Sequence, residues 1–401
     1  MTRTVLVAGH WDDGPGYPRT ELLLGALARC GCHVEECRVP APARGTTKVG
    51  LVKRPWRWPG YWLASRGTRA RLVRELRRRI AEGGVDAVLV PYPGHIAVRW
   101  VRSVWRGPLL LDLFLSAHST AVEDRALFSP GSVPARLLAH LDRRACEAAD
   151  VVLLDTQEHA ELVATTTGLP RTRFDWVPIG DVGPSAVAPV VPPAPGEPLR
   201  LLFFGTGVPL HGLPTWLAAI ARVEGVTLEL YGGDEDSRAQ ARSLLGARAI
   251  IGPRFAPMGE LREAIDRAHL VLGIAGTSEK ARRVVPFKVA HALAHGRPLL
   301  TADTPAIRRQ LVPERDCLLA NAGDVESFAQ ALRAVVAAPQ RLVSLGAAAR
   351  LAWQRAFSPA AIEARLAAVI DARLGALPGA TPGLPSPADR PRGPRLVVSS
   401  S

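Results

Sequence analysis

Short apolar runs alternate along this chain with segments whose apolar residues recur every three or four positions. TVLVAG near the start leads into a loop holding Gly14 and Gly16. ELLLGALARCG follows, with leucines at helical spacing and Gly31 placed to cap a helix. Further strands are predicted at HVEECRV, AVLVPY, PLLLDLF and VVLLD, and helices at RLVRELRRRIAEGG and ARLLAHLDRRACEAAD. Strands that alternate with helices in this way form a parallel sheet covered on both faces.

The pattern stops at GPSAVAPVVPPAPGEP, residues 183–198, which is too rich in proline for either element and reads as an interdomain linker. It then restarts with LRLLFFG, the helix LPTWLAAIARV, VTLELYGG, AIIG, the helix ELREAIDRA and LVLGIAG. FKVAHALAHG, RPLLTAD, ESFAQALRAVVAA and a closing helix near 359–374 complete it. The fold class is α/β, with two Rossmann-like doubly wound domains facing across a cleft, and ligands in such sheets lie beyond the carboxyl ends of the strands. We divide the chain into 1–182, the linker 183–198, a second domain 199–350, a helix 351–374 that returns to the first domain, and a Pro- and Ser-rich disordered tail 375–401.

Composition narrows this picture. At 401 residues the chain is too long for one compact core, and 47% apolar with 22% charged residues exclude a wholly disordered polypeptide. No run approaches the roughly 18–20 apolar residues of a membrane span, and Asp12 comes too early for a secretory signal, so a cytoplasmic protein is expected. Five cysteines, with Cys30, Cys32 and Cys37 crowded together, suit reduced thiols better than a disulfide framework. The net charge of +13 is concentrated: residues 53–79 hold ten Lys or Arg against Glu75 alone. Nucleic acid is therefore not an expected partner of the whole surface. Lysine is scarce, being confined to Lys48, Lys53, Lys280 and Lys288.

Two segments carry chemistry. In LLFFGTGVPLHG (201–212) a strand runs into Gly205, Thr206 and Gly207, which let the backbone approach a ligand, and the amides of the next helix favour phosphate. His211 would donate to that phosphate, although a tight turn without ligand accounts for the segment equally well. In GTSEKARRVVPFKVAHALAHG (276–296), Pro286 suits the first turn of a helix, so that Lys288, His291 and His295 share a face. Lys280, Arg283 and Lys288 then surround a helix N-terminus as cations around a diphosphate would, a solvated basic loop being the bland alternative.

These segments together with GPRFAPMGELREAIDRAHLVL and RPLLTADTPA resemble the GT-B glycosyltransferases, specifically the retaining family 4 group, over nearly the whole chain to about 374. The resemblance implies an enzyme that moves a sugar from a nucleoside diphosphate sugar to a small-molecule or lipid-linked acceptor held by the first domain, without a metal or other cofactor. Two departures stand out. Thr206 and His211 occupy the places of a family Arg and Lys, and Arg283 and His291 replace the carboxylates of the family's Glu-x7-Glu signature. A branch of the family shares the PLHG and RVxPxK patterns, and there the diphosphate rests on the basic residues this sequence keeps.

For the base, the loop after AIIG offers Arg254 and a stacking face on Phe255, with His291 beside it. In the first domain Asp112 ends PLLLDLF, and His118 and Asp124 follow where acceptor and anomeric carbon should meet, which makes the three catalytic candidates. Gly14, Gly16, Trp56 and Trp62 are assigned to the acceptor side. Residues 53–79, with tryptophans among arginines, also suit a peripheral contact with the inner face of a membrane, but arginines spread around a helix favour the cleft reading. Asp234 and Asp236 read as a helix cap rather than a metal site, and Asp142–Arg144 as a charged helix face. A nucleotide-sugar epimerase and a catalytically silent sugar-nucleotide or membrane-surface binder remain the rival functions.

Overall fold

Strands β1 (Thr4–Gly9), β2 (His33–Arg38), β3 (Ala87–Val90), β4 (Leu109–Phe114), β5 (Val151–Leu154) and β6 (Phe174–Trp176) form one parallel sheet in the order β2-β1-β3-β4-β5-β6. The structure, a computed structural model, describes residues 3–11, 18–41, 58–125 and 127–375. β3, β4 and β5 are buried at every position, as the apolar runs of β3 and β5 and the run of β4, broken only by Asp112, require of strands covered on both faces. β2, at the edge, is fully buried only at Cys37. The helix Trp58–Glu82 presents Thr68, Leu72 and Leu76 inward at intervals of four, while Arg71, Arg74 and Arg77 face outward. Among the described residues no helix is long and apolar enough to cross a membrane.

The second sheet comprises β7 (Leu199–Gly205), β8 (Val226–Gly232), β9 (Ala249–Ile251), β10 (Leu270–Leu272), β11 (Leu299–Ala302) and β12 (Leu318–Ala320) in the order β12-β11-β10-β7-β8-β9, again parallel. Strand order reverses between β1 and β3 in the first sheet and between β7 and β10 in the second. At such a point the flanking loops diverge to opposite faces and leave a crevice.

Residues 183–198 contain no helix or strand, yet they are packed: Val190 belongs to the second sheet's core, and Arg297 donates to the Ala188 carbonyl. Two helices close the chain. Arg341–Ala356 straddles the boundary expected at 350 and packs against Phe287–Ala294, and after Phe357 and Ser358 the helix Pro359–Leu374 crosses back to the first half. There Ile362, Leu366, Val369 and Ile370 cover Leu22, Leu23 and Leu27 of the helix Arg19–Arg29. Phe114 and Ile179 of the first half also share a buried cluster with Phe204, Val285, Val289 and Trp353, so apolar packing joins the halves. Residues 376–401 of the expected tail lie outside the described residues.

Candidate functional site

β7 ends in Gly205 (φ +140°) and continues through Thr206 and Gly207 (φ +75°) into the short turn Pro209–His211, Gly212 (φ +61°) and the helix Leu213–Ala221. This loop meets the loop after β10 backbone to backbone. Ala275 N–H donates to the His211 carbonyl (3.1 Å) and Gly276 N–H to that of Leu210 (3.2 Å), and a Cβ on Gly212 would lie 2.4 Å from the Ala275 carbonyl carbon. A Cβ on Gly205 would come within 2.7 Å of the His211 ring and 3.4 Å of Lys288 Nζ. Glycine, imidazole and ammonium thus converge at the carboxyl ends of the strands where the sheet order reverses, the position at which such folds bind ligands.

Lys288 comes from the helix Phe287–Ala294 and is 4% exposed. Its Nζ lies 3.4 Å from the Gly273 carbonyl and 3.9 Å from the centre of the Phe203 ring, and among the described residues no carboxylate pairs with it. Burial pushes its pKa well below the ordinary lysine value. Burial first, and then the charges of Lys288 and Lys280, push His211 down to about 2, so the imidazole is neutral, and its buried Nδ1 has no partner. A neutral imidazole offers one donor and one acceptor. Thr206 sits exposed at the lip.

The other two cations expected around the diphosphate, Lys280 and Arg283, are ion-paired in this structure rather than free. Lys280, from the short helix Glu279–Arg283, lies 3.0 Å from Asp124 Oδ2 and 3.4 Å from Thr120 Oγ1. Arg283 pairs with Glu279 at 2.6 Å and with Glu123 at 3.5 Å, and its carbonyl accepts from the Thr156 hydroxyl. Thr120, Glu123 and Asp124 share one wide π-helical turn, Ser119–Asp124, of the first half. Residues 120 and 124 of this turn both meet the Lys280 ammonium, and such turns concentrate at functional sites.

On the first-half side Asp112 is not available for catalysis. It is fully buried, and Arg19 binds both its oxygens at 2.8–3.0 Å while donating also to the Leu154 and Val177 carbonyls. Burial raises the Asp112 pKa although Arg19 pulls the other way. Asp124 is likewise engaged, as the ion-pair partner of Lys280 rather than as a free acid or base. His118 is half-buried, and its backbone N–H donates to Asp142 Oδ2 at 3.0 Å. Asp142, expected on a charged helix face, is in fact 3% exposed and also accepts from Ser116 Oγ (2.7 Å) and Ala117 N–H (3.0 Å). It holds the loop that leads into the π turn. The signal was its place in the stripe Leu138, Asp142, Ala145, Ala149, where a lone carboxylate on an inward helix face needs donors. Phe114 was also missed: it adopts φ +54° with its ring 4.7 Å from the Arg19 guanidinium and 6.0 Å from Phe287 of the second half.

His291, expected at the nucleoside, is bound through Nδ1 to Asp181, which lies between β6 and the linker, and stacks on Phe287. Burial works against the Asp181 carboxylate, but the His291 hydrogen bond and the Gly183 N–H hold its pKa below the usual range. The face shared by Lys288, His291 and His295 therefore serves three ends, since His295 pairs with Asp266. Arg254 and Phe255 are exposed after β9, with the guanidinium 5.6 Å from the ring centre. Arg254 borders the crevice: its charge acts on Asp234, whose amide nitrogen would lie 3.2 Å from a Cβ on Gly207. Asp234 caps the helix Glu235–Leu245, accepting from Ser237 N–H at 2.8 Å. Gly14, Gly16, Trp56 and the side chain of Trp62 lie outside the described residues.

Residues 214–370 match the family described as Glycosyl transferase-like. No curated protein matches the sequence. Among solved structures, sucrose-phosphate synthase from Thermosynechococcus elongatus aligns with a TM-score of 0.63 at 17% identity, covering 93% of this chain and 99% of that one. Anabaena HepE in complex with UDP-glucose gives 0.62 at 15%, covering 92% and 99%. The lipopolysaccharide outer core galactosyltransferase WaaB gives 0.62 at 14%, also covering 92% and 99%. The chain has the two-domain fold of the GT-B glycosyltransferases, and its second half carries a glycosyltransferase-like domain.

Proposed function

We propose that this chain transfers a sugar from a nucleoside diphosphate sugar to an acceptor hydroxyl, with retention of configuration and without a metal ion. One observation carries the reading: a buried Lys288 without a carboxylate partner among the described residues, beside a glycine turn and a neutral His211 at the β7/β10 crevice. A buried unpaired cation is costly, and an anion seated there repays its desolvation. As the bond from the anomeric carbon to the diphosphate breaks, negative charge grows on the departing phosphate oxygen. Lys288, the His211 ring N–H and the loop amides of Gly205–Gly207 meet that charge, in a site that already holds its donors in place. The acceptor hydroxyl enters from the first half, where Asp142 fixes the backbone at His118; its oxygen bonds to the anomeric carbon on the face the diphosphate leaves, and its proton passes to the departing diphosphate oxygen. The UDP-glucose held by Anabaena HepE makes uridine nucleotides the first to try.

The test is calorimetric titration with UDP, followed by an assay with a panel of nucleotide sugars and simple glycoside and lipid-linked acceptors. Lys288→Ala should weaken UDP binding about tenfold or more, and turnover should survive EDTA. Equal UDP affinity in wild type and Lys288→Ala would overturn the diphosphate assignment, and turnover restored only by magnesium or manganese would overturn the metal-free mechanism.

A further inference from the structure

The ion pair between Lys280 and Asp124 crosses from the second half to the first, and both groups are more than nine-tenths buried. It is incompletely satisfied. Asp124 Oδ2 has Lys280 at 3.0 Å, but Oδ1 is buried with no hydrogen-bond donor among the described residues. A buried carboxylate with an orphan oxygen recovers only part of its desolvation energy, so such a pair exchanges partners more readily than one with every lone pair bonded. The helix Glu279–Arg283 that carries Lys280 packs against the turn Pro209–His211 of the glycine crevice. Of the two buried lysines there, Lys288 has no carboxylate and Lys280 has one supplied by the opposite half.

We propose that Asp124 is a resident counter-ion that competes with the donor's diphosphate for Lys280, so that loading the donor breaks this cross-cleft pair. This rests on reading the crevice as a diphosphate site. The exchange leaves the halves joined, because Thr156 still bonds the Arg283 carbonyl, Glu158 still pairs with Arg309 and Phe114 still meets Phe287. Asp124 therefore lowers diphosphate affinity in the free protein. The released carboxylate, relieved of its partner, is left facing the site with both oxygens open to hydroxyl donors of the incoming sugar.

Titration with inorganic pyrophosphate and with UDP tests this on the full chain. Asp124→Asn removes the competing charge and should tighten pyrophosphate binding about tenfold, whereas a merely structural role would leave it unchanged or weaker. Lys280→Met should weaken binding, and added to Asp124→Asn it should abolish the gain. Unchanged or weaker binding in Asp124→Asn, with Lys288→Ala still impaired, overturns the competition while sparing the diphosphate site. Should Asp124→Asn not fold, unaltered affinity in Lys280→Met overturns it equally. Wild-type protein that binds neither pyrophosphate nor UDP would refute the diphosphate site and this inference with it.

Discussion

Two buried ion pairs built from aspartates that look alike in sequence have different fates. Asp112 is bound on both oxygens by Arg19 beneath the carboxyl end of β4, whereas Asp124 leaves one oxygen unbonded at the boundary between the halves. Removing charge from one partner of the first pair leaves the other buried and uncompensated, so Asp112→Asn should cost about 3 kcal/mol of stability in urea unfolding. Sugar transfer, measured at a temperature where the variant is folded, should fall by less than about threefold, since Asp112 touches no reacting group. A loss of a hundredfold or more in kcat with normal folding would return Asp112 to the catalytic residues.

The π turn Ser119–Asp124 gains its position from a neighbouring helix rather than from its own sequence. Asp142 of the helix Val133–Ala148 gathers Ser116 Oγ and the N–H groups of Ala117 and His118. Asp142→Ala strands those donors, and the expected loss is about 3 kcal/mol, with hydrogen exchange rising first across 116–124. Protection unchanged in that segment would show that the turn is held by its contacts with Lys280 and Arg283 instead. The last helix makes a separate case. Leu366 is 1% exposed between the first sheet and the helix Arg19–Arg29, so Leu366→Ala should destabilise by about 3 kcal/mol. Because that helix follows directly on Arg341–Ala356, the loss should also loosen the joint between the halves, seen as a larger radius of gyration in solution scattering.

Over the whole molecule, buried titratable groups set the pH range of stability. His211 and His269 are pushed down to about 2 and about 4 from 6.5, chiefly by burial, so the unfolded chain takes up protons first and stability falls as pH drops below 6.5. Burial pushes Cys30, Cys37 and Cys317 up to about 12 from 9.0, so their contribution is present below pH 9.0 and is lost as pH rises toward 12. Cys32 and Cys146 are raised by burial as well, and Lys288, depressed by burial, acts in the opposite sense but is one group against five. The melting temperature should therefore be highest between about pH 6.5 and 9, and one still climbing at pH 10 would contradict this. The arginines of Trp58–Glu82 surround an exposed helix, and Arg78 and Arg79 are already paired with Glu75 and Glu82. At about 0.15 M salt the protein should remain in the supernatant when anionic vesicles are sedimented, and co-sedimentation would favour a membrane-borne acceptor.

Periodicity predicted five strands of each parallel sheet and the break at 183–198, because burial on both faces of a sheet imposes a largely apolar run that few other structures need, whereas the three-residue strands β6 and β12 are too short to show a period. Gly205, Gly207 and Lys288 were legible for a related reason: a turn that tolerates only glycine, followed by a rare lysine, stands out in a chain with four lysines. Spacing could not say which partner a charged side chain would find. Lys288, His291 and His295 share a helix face, yet their partners come from β7 and the β10 loop, from Asp181 just before the linker and from the helix Met258–Arg267 respectively. Lys280 and Asp124 are 156 residues apart. Only the docking of one half on the other decides that they meet, since the energy of an ion pair depends on distance and burial, and neither is written in the local sequence.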